Sequence, residues 1–457
     1  MYPISPVPKT YSWGSYDRLQ QLFGVERDGP LAEMWFSGHA ASPSSVNVDG
    51  VSLDLDEAIR RAPQLMVGTQ ASEEWGPVLP YLFKIISARI PLSLQVHPLD
   101  FEARAGFNRE NAKNIPIDSP IRSFKDTLAK HEMVVALEPF EASVGFAPRT
   151  EQLRVLSSID HPLAREMYEA LSSESGVRSF FQTGPVGDGG LDADMPAAAR
   201  VWGHTQRQIF AAFRIAVKAP SESCEGLTRA IRTAAKSCSH RSVAKVLDHV
   251  LQAADAFPGD PSVMCVAMLN PVHLEQGESV FIPAGTPHCY LHGTGAEIMT
   301  NSDNVLRAGM TPKHKDIPNL LHNLNCNPAP PIDPTSHMLT FFTPDLAVYR
   351  PRLREFMLSY GSVGDSGSDT LWARMMARHR SSRTEHAQNW APSTALPAAS
   401  GPRVLVCIDG RVTCVSDTQR VSIGKGEALF VPASDGRAQV VSHGGESGVY
   451  LLASTSV

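Results

Sequence analysis

Two distant segments of the chain repeat one short pattern, and this repeat constrains the fold more than any other feature. Residues 277–284 (GESVFIPA) and 426–433 (GEALFVPA) each combine a Gly-Glu turn, a short apolar run and a turn containing proline. A turn, a strand and a second turn are typical of antiparallel β-domains built from short strands. The chain is therefore predicted to be mainly β, with two cupin-like domains of the double-stranded β-helix (jelly-roll) type and an inserted α-helical domain.

The helical insertion is predicted from a change of periodicity. Between residues 242 and 257 apolar side chains recur on one helix face, and Pro258 and Gly259 end the pattern. Residues 200–217 are also predicted to be helical. Stretches rich in Gly, Pro, Asp, Ala or Ser are predicted to be loops, at residues 182–199, 361–369 and 380–402.

Four polar residues at predicted strand positions form a mixed nitrogen and oxygen donor set: Gln95, His97, Glu132 and His288. In residues 93–97 (SLQVH), strand alternation places Ser93, Gln95 and His97 on one face of the sheet. Two imidazoles with a carboxylate and an amide oxygen suit Zn²⁺ and leave a position for water or substrate. His292 shares the predicted face of His288, and spacing does not choose between the two histidines.

The predicted domain boundaries follow from these observations. In the repeat, Arg437 stands where the first copy has His288, so the second copy is predicted to lack metal ligands. We expect a zinc-bearing cupin-like domain formed by residues 1–146 and 260–325, a helical inserted domain at 147–259, and a C-terminal cupin-like domain at 326–457.

Composition limits the classes of partner. The 457-residue chain is 42% hydrophobic and 19% charged, with a formal net charge of −6. A negative balance without a basic block disfavours nucleic acid, and no apolar stretch approaches the roughly 20 residues that span a bilayer. The first residues lack the regions of a signal peptide, and seven cysteines without a CxxC pair fit reduced thiols. We expect a cytoplasmic monomer that binds neither nucleic acid nor membrane.

Motifs along most of the chain resemble those of type I mannose-6-phosphate isomerases (phosphomannose isomerases). They are residues 11–14 (YSWG), 32–39 (AEMWFSGH), 79–84 (LPYLFK), 92–98 (LSLQVHP), 124–126 (FKD), 130–132 (KHE), 282–291 (IPAGTPHCYL) and 302–313 (SDNVLRAGMTPK). In this resemblance one Zn²⁺ per chain is held by Gln95, His97, Glu132 and His288.

The resemblance implies an aldose–ketose isomerisation that interconverts D-mannose 6-phosphate and D-fructose 6-phosphate through an enediol. The product would feed GDP-mannose synthesis, or the reaction would serve mannose use. Such chemistry needs a Lewis acid at the O1/O2 edge, an acid/base group that moves a proton between C1 and C2, and cations that hold the phosphate.

Candidates for these tasks lie in the same motifs. Arg307, Glu297 and Lys130 are predicted to be catalytic, with Arg307 also suited to the phosphate. The residues expected to bind the hexose 6-phosphate are Lys313, Tyr290, Ser93, Trp13 and Asp303. Several alternatives stay open. The proton is moved by Glu297, by Lys130 or by a zinc-bound water. Trp13 is either a core residue or a pocket residue, and Asp303 either orients a cation or caps a turn.

The chain departs from the usual pattern of the resembled family in several places, and two of them bear on the pocket. Asp100 stands where a lysine is common, and Ala129 stands where the segment before the glutamate usually has a histidine. These departures keep a non-catalytic sugar-phosphate-binding paralogue as an alternative. Another metal-dependent cupin enzyme, such as an iron dioxygenase, is a second alternative, and metal analysis separates it from a zinc enzyme.

Overall fold

The computed structural model describes residues 1–26, 28–48, 50–173, 194–333, 342–343, 346–364 and 398–456. The loops predicted at 182–199, 361–369 and 380–402 lie largely outside these residues. Where their ends are described, Ala197–Val201 forms a 3₁₀ turn, and the strand Met357–Val363 includes residues 361–363, which were predicted to be loop.

The strands form two large antiparallel sheets. They are β1 Tyr2–Ser5, β2 Val7–Lys9, β3 Glu33–Phe36, β4 Ser45–Val48, β5 Val51–Asp54, β6 Tyr81–Ala88, β7 Leu94–Val96, β8 Glu132–Ala136, β9 Phe140–Phe146, β10 Leu269–Leu274, β11 Ser279–Ile282, β12 His288–Thr300, β13 Leu306–Gly309, β14 Phe342–Thr343, β15 Leu346–Tyr349, β16 Met357–Val363, β17 Arg403–Ser416, β18 Arg420–Gly424, β19 Ala428–Val431, β20 Ala438–Ser442 and β21 Gly448–Ser454. The repeat strands are β11 and β19, as predicted.

The first sheet is organised around the long strand β12. Its order is β10-β9-β12-β6-β3-β2, and β7, β8, β11 and β13 pair beside this path. The first half of β12 pairs with β7 and β9, and the second half pairs with β6 and β8. Strand β12 therefore connects every part of this sheet that carries a predicted site residue.

The second sheet combines both ends of the chain. Its order is β14-β15-β16-β21-β17-β19-β1-β4-β5, so β1 lies between the C-terminal strand β19 and β4. Tyr2 is opposite Phe430, and Ile4 is opposite both Ala428 and Val46. Strand pairing thus joins residues 2–5 and 45–54 to the C-terminal strands. The division of the chain into domains at residues 146, 259 and 325 stays a prediction.

The helices lie mainly between β9 and β10, as the periodicity predicted. The α-helices are Arg18–Phe23, Leu55–Arg61, Pro63–Met66, Thr69–Trp75, Asp100–Ala112, Arg149–Ser158, Pro162–Ser172, His204–Lys218, Leu227–Ser237, Arg241–Ala256, Val263–Val266 and Ile317–His322, with 3₁₀ turns at Ala197–Val201, Ser221–Cys224 and Ala433–Asp435. The helix Arg241–Ala256 buries the face carrying Val243, Val246 and Val250. Within the described residues, no helix has the length and apolar character needed to cross a bilayer.

A hydrophobic core between the two sheets determines which side chains of β6 face the interior. Phe36 and Phe83 stack with ring centroids 5.5 Å apart and pack in one cluster with Val404 and Phe430 of the second sheet. Burying each such side chain stabilises the fold by roughly 1.5–3 kcal/mol. Because strand side chains alternate, Tyr81, Phe83 and Ile85 face this core, and Leu82, Lys84 and Ile86 line a cavity on the opposite face.

Candidate metal centre and substrate cavity

A cavity of about 280 Å³ opens against the cavity-facing side of β6. Its wall includes most of the residues that the sequence singled out: Trp13, Ser93, Gln95, Lys130, Glu132, Tyr290, Glu297, Asp303, Arg307 and Lys313. His97 and His288 lie beneath this wall, since each contacts Glu132 through Nε2. The structure therefore brings all twelve predicted site residues to one region.

Strand register explains why these residues meet. Gln95 lies on β7 between two strands, opposite His288 of β12 on one side and opposite Arg307 of β13 on the other. Residues directly opposite in a sheet present their side chains to the same face. Leu94 and Val96 point into the helical core while Ser93 and Gln95 line the cavity, which confirms the predicted alternation.

Three donor atoms converge at the floor of the cavity. The Nε2 atom of His97 lies 3.0 Å from Oε1 of Glu132, and the Nε2 atom of His288 lies 3.2 Å from Oε2 of the same carboxylate. All three side chains are at most 2% exposed. The Gln95 amide adds a fourth group, with its Nε2 atom 3.3 Å from Nε2 of His288.

Backbone carbonyls fix the tautomer of both histidines. Nδ1 of His97 lies 2.8 Å from the carbonyl oxygen of Asn304, and Nδ1 of His288 lies 2.9 Å from that of Thr286. A carbonyl only accepts, so each Nδ1 carries a proton and the Nε2 atom of each ring faces Glu132. Such an outer hydrogen bond is the usual partner of a metal-ligating histidine.

The ionisation of these groups favours cation binding. Burial lowers the pKa of His97 to about 4, which keeps the imidazole neutral. Burial alone would raise the pKa of Glu132, but the Lys130 ammonium beside it holds that pKa well below its usual range. Lys130 Nζ lies 2.9 Å from Glu132 Oε1. Neutral imidazole and ionised carboxylate are the forms that bind a metal.

The donor set fits a zinc ion. The His97 Nε2 and Glu132 Oε2 atoms are buried and have no hydrogen-bond partner. The lone pairs of these atoms face one another, and a bound cation would satisfy them. Ligand bonds of 2.0–2.1 Å in a tetrahedron separate neighbouring donors by about 3.3 Å, close to the observed spacing. A half-turn of the Gln95 side-chain amide would exchange the positions of its oxygen and nitrogen. Oε1 of Gln95 would then point at the same centre.

A second buried network lies beside this centre. The Tyr290 hydroxyl donates to Glu297 Oε1 at 2.6 Å, and Lys84 Nζ lies 2.7 Å from Glu297 Oε2 and 3.0 Å from Glu33 Oε1. Burial raises the pKa of Glu297 despite the attraction of Lys84. For Lys84 burial acts to lower the pKa, but Glu297 and Glu33 outweigh it and raise the value. A carboxylate whose pKa is raised in this way is a stronger base than an exposed one.

Lys84 and Glu33 were missed as site residues by the sequence analysis. A lysine in the otherwise apolar run of residues 81–86 was the available signal, because a buried ammonium needs a carboxylate partner. Glu33 lies in a matched motif, where the Trp35 indole donates to its Oε2 at 2.7 Å.

The cavity rim is positively charged. Arg307 and Lys313 both line the wall, and neither makes an ion pair within the described residues. Lys313 Nζ sits 4.5 Å from the ring centroid of Tyr11, and that ring stacks on Trp13 at 5.6 Å. Trp13 is thus a pocket residue. Burial lowers the pKa of both cations, which indicates partly desolvated charges with capacity for an anion.

Contacts bear on two of the open alternatives, the role of Asp303 and the choice between His288 and His292. Asp303 orients a cation, because its Oδ2 lies 2.6 Å from Lys125 Nζ. His292 is exposed and lies opposite Glu141 rather than at the centre. A bulge in β12 between Tyr290 and His292 shifts the register, so the period-two expectation for His292 was wrong.

These features define a β-sheet protein with a buried histidine–carboxylate metal centre beneath a cation-rimmed cavity. The family model for the catalytic domain of type I phosphomannose isomerase matches residues 1–149. The mannose-6-phosphate isomerase of Escherichia coli strain K12 is 30% identical over 445 residues, which cover 97% of each chain. That of Cryptococcus neoformans is 30% identical, covering 95% of this chain and 94% of its own. The chain belongs to the mannose-6-phosphate isomerase family.

Solved structures show the same fold. A mutant of the phosphomannose isomerase of Salmonella typhimurium superposes with a TM-score of 0.77 at 24% identity, and the alignment covers 100% of both chains. A mannose 6-phosphate isomerase bound with zinc and yttrium has a TM-score of 0.76 at the same identity and coverage. The mostly β architecture with added helices is therefore confirmed.

Proposed function

We propose that this chain is a zinc-dependent isomerase that interconverts D-mannose 6-phosphate and D-fructose 6-phosphate through an enediol. One observation carries the proposal: Glu132 contacts both His97 and His288 at the floor of a cavity whose rim holds Arg307 and Lys313. A metal centre and an anion site in one cavity match the two ends of a hexose 6-phosphate.

The phosphate end of the sugar binds at Arg307 and Lys313. Arg307 offers a planar fork of N–H donors, and Lys313 offers a point charge. Binding energy from this remote group orients C1 and C2 toward the floor of the cavity. Tyr11 and Trp13 form an aromatic wall for the apolar edge of the sugar.

Gln95, His97, Glu132 and His288 would hold one Zn²⁺, which when bound supplies a Lewis acid at the O1/O2 edge of the opened hexose. Ser93 lines the wall beside Gln95 and presents a hydroxyl to the sugar. Lys130 pairs with Glu132 and so places an ammonium where negative charge develops on the enediol oxygens.

Glu297 is the group that moves the proton between C1 and C2. Its carboxyl group is 2% exposed, its pKa is raised by burial, and Lys84 and Tyr290 hold it in one orientation. A positioned acid/base group of this kind contributes about 10²–10⁴-fold in rate. Lys84 is a positioning residue, since its three donors are directed at Glu297 and Glu33.

The proposal extends to the organisation of the chain. Each sheet would form the centre of a cupin-like domain, the first with residues of 1–146 and 260–325 and the second with residues of 326–457, and the helical part would be inserted at 147–259. Strands β1, β4 and β5 of the N-terminal part join the second sheet. Support comes from the repeat strands β11 and β19, each of which pairs antiparallel within a different sheet. A cytoplasmic location and a monomeric state belong to the same proposal.

A coupled assay for fructose 6-phosphate tests the function. The purified chain should form product from mannose 6-phosphate, lose the activity after dialysis against a chelator, and regain it with Zn²⁺. Binding of the sugar phosphate without turnover would identify the non-catalytic paralogue instead. Restoration by Fe²⁺ but not by Zn²⁺ would identify a different metal-dependent cupin enzyme.

A further inference from the structure

A second cluster of metal-binding side chains lies outside the substrate cavity. Glu141 of β9, His273 of β10 and His249 of the helix Arg241–Ala256 each place one ligand atom within 4.8 Å of the other two. Glu141 and His273 are directly opposite in the sheet. The helix packs on β10 and is hydrogen-bonded to β9 through Gln252 and His249. None of the three residues lines the cavity described above.

His249 presents an unpartnered nitrogen to this cluster. The side chain is 0% exposed, its Nδ1 atom lies 3.0 Å from the Ser143 hydroxyl, and its Nε2 atom is buried without a hydrogen-bond partner. A buried imidazole is neutral, so one nitrogen carries a proton and the other a lone pair. If Nδ1–H donates to Ser143, a free lone pair remains at Nε2, and the ring centroids of His249 and His273 are 4.8 Å apart.

Glu141 is held in a position that suits a ligand. Its Oε2 atom accepts a hydrogen bond from Gln252 Nε2 at 2.9 Å, which leaves Oε1 directed toward His273 Nδ1 at 3.5 Å. That distance is long for a hydrogen bond but close to the separation of about 3.3 Å between two ligands of a tetrahedral zinc ion. Gln252 and Ser143 thus hold Glu141 and His249 from outside, as supporting groups do at metal sites.

We propose that Glu141, His249 and His273 bind a second divalent transition-metal ion of the Zn²⁺ type. Two imidazoles and one carboxylate give the nitrogen and oxygen set that Zn²⁺ prefers, and Co²⁺ accepts the same set. The side chain of His273 is 38% exposed, so an ion enters from solvent. Water would complete the coordination at the exposed side of the site.

The ion would be structural. It joins the helix Arg241–Ala256 to β9 and β10, and β9 pairs with β12 where Val144 lies opposite His288. The second ion therefore braces the sheet that carries the first metal centre without touching the substrate cavity. This inference does not depend on the proposed isomerase reaction.

Metal stoichiometry tests the proposal. Elemental analysis of the full chain, dialysed against excess Zn²⁺ and then buffer, should give two zinc ions per chain, and His273→Ala should give one. His204→Ala, which removes an exposed histidine at the start of another helix, should keep two. One zinc ion in the unsubstituted chain, or two in His273→Ala, would overturn the second site.

A spectroscopic experiment measures metal binding at the second site in a variant that lacks the first site. In a Glu132→Ala background, which lacks the first centre, Co²⁺ titration should still produce the visible absorption of a tetrahedral site at one equivalent. Adding Glu141→Gln to this background should weaken Co²⁺ binding at least about tenfold. Unchanged Co²⁺ affinity on adding Glu141→Gln would overturn the assignment. Neither result depends on turnover, so a failed activity assay leaves this test intact.

Discussion

The Asp100 carboxylate accepts a hydrogen bond from the backbone N–H of Ala129, with 3.3 Å between Oδ1 and N. The sequence departs from the usual family pattern at both positions, so these two departures are neighbours in space. Asp100 is exposed and begins the helix Asp100–Ala112, and neither residue lines the substrate cavity. The contact indicates that the two changes act on local structure rather than on the sugar.

Asp100→Ala is expected to lower the free energy of unfolding by about 1 kcal/mol, because it removes this hydrogen bond and a negative charge from the first turn of a helix. The kcat and KM for mannose 6-phosphate should stay within about threefold of the unsubstituted values. Urea denaturation and the coupled assay measure the two effects. A large loss of kcat with unchanged stability would instead assign Asp100 a role in the reaction.

Glu132→Ala and His288→Ala should each remove the zinc ion of the cavity. Loss of the Lewis acid forfeits several kcal/mol of transition-state stabilisation, so kcat should fall by at least about 10³-fold. Elemental analysis should give one zinc ion fewer per chain than in the unsubstituted protein, while His204→Ala keeps both metal content and rate. Retention of zinc and rate by either variant would remove that residue from the ligand set.

Arg307→Ala should weaken recognition of the phosphate. A charge-assisted hydrogen bond contributes about 1.5–3 kcal/mol, so KM for mannose 6-phosphate should rise roughly 10- to 150-fold. The response to free mannose should change far less. Lys315→Ala removes an exposed cation nearby and serves as the matched control. An equal effect of Arg307→Ala on both sugars would contradict the phosphate role.

Glu297→Gln should lower kcat by about 10²–10⁴-fold with KM nearly unchanged, because it removes the group that moves the proton but preserves its size. Zinc content should stay the same, since the Glu297 carboxyl group contacts Lys84 and Tyr290 rather than the ligands. Steady-state kinetics and elemental analysis on one preparation separate the effects. A variant that retains its kcat would assign Glu297 to a structural role.

The Lys125–Asp303 ion pair should stabilise the fold only while Asp303 is ionised. Burial would raise the pKa of Asp303, but Lys125 holds it below its usual range. A depressed carboxyl pKa stabilises the folded state above the unfolded value of about 3.9, and this is lost as pH falls through the folded value. Lys125→Met should therefore cost about 0.5–1 kcal/mol at pH 7, with the difference vanishing below about pH 3.

Urea denaturation from pH 7 to pH 3 measures this pH dependence. Lys113→Met removes an exposed lysine from a helix end and should show no such trend. A stability difference between Lys125→Met and the unsubstituted chain that persists at low pH would mean that lost packing, rather than lost charge, causes the effect.

The sequence predicted the elements that short-range patterns determine. The helix Arg241–Ala256 follows from one continuous apolar face, and β11 and β19 follow from matching turns around short apolar runs. The convergence of Gln95 and His288 was reached through resemblance to a family, because the register that places them opposite each other joins residues far apart in the chain.

Long-range contacts account for what the sequence analysis missed. Lys84 lies within an apolar strand, and only the packing of β3 and β12 on either side reveals that Glu33 and Glu297 are its partners. His292 was misplaced because a single bulge in β12 breaks the alternation. The Glu141, His249 and His273 cluster depends on how a helix lies over two strands, which residue spacing does not encode.

The position of β1 between β4 and β19 has a consequence for biosynthesis. Tyr2 pairs with Phe430, so β1 cannot take its place between β4 and β19 until β19 has been synthesised. Pairing of strands so far apart in the chain is slow, and strand edges stay exposed until it is complete. Newly made chains should therefore depend on chaperones until β19 is available.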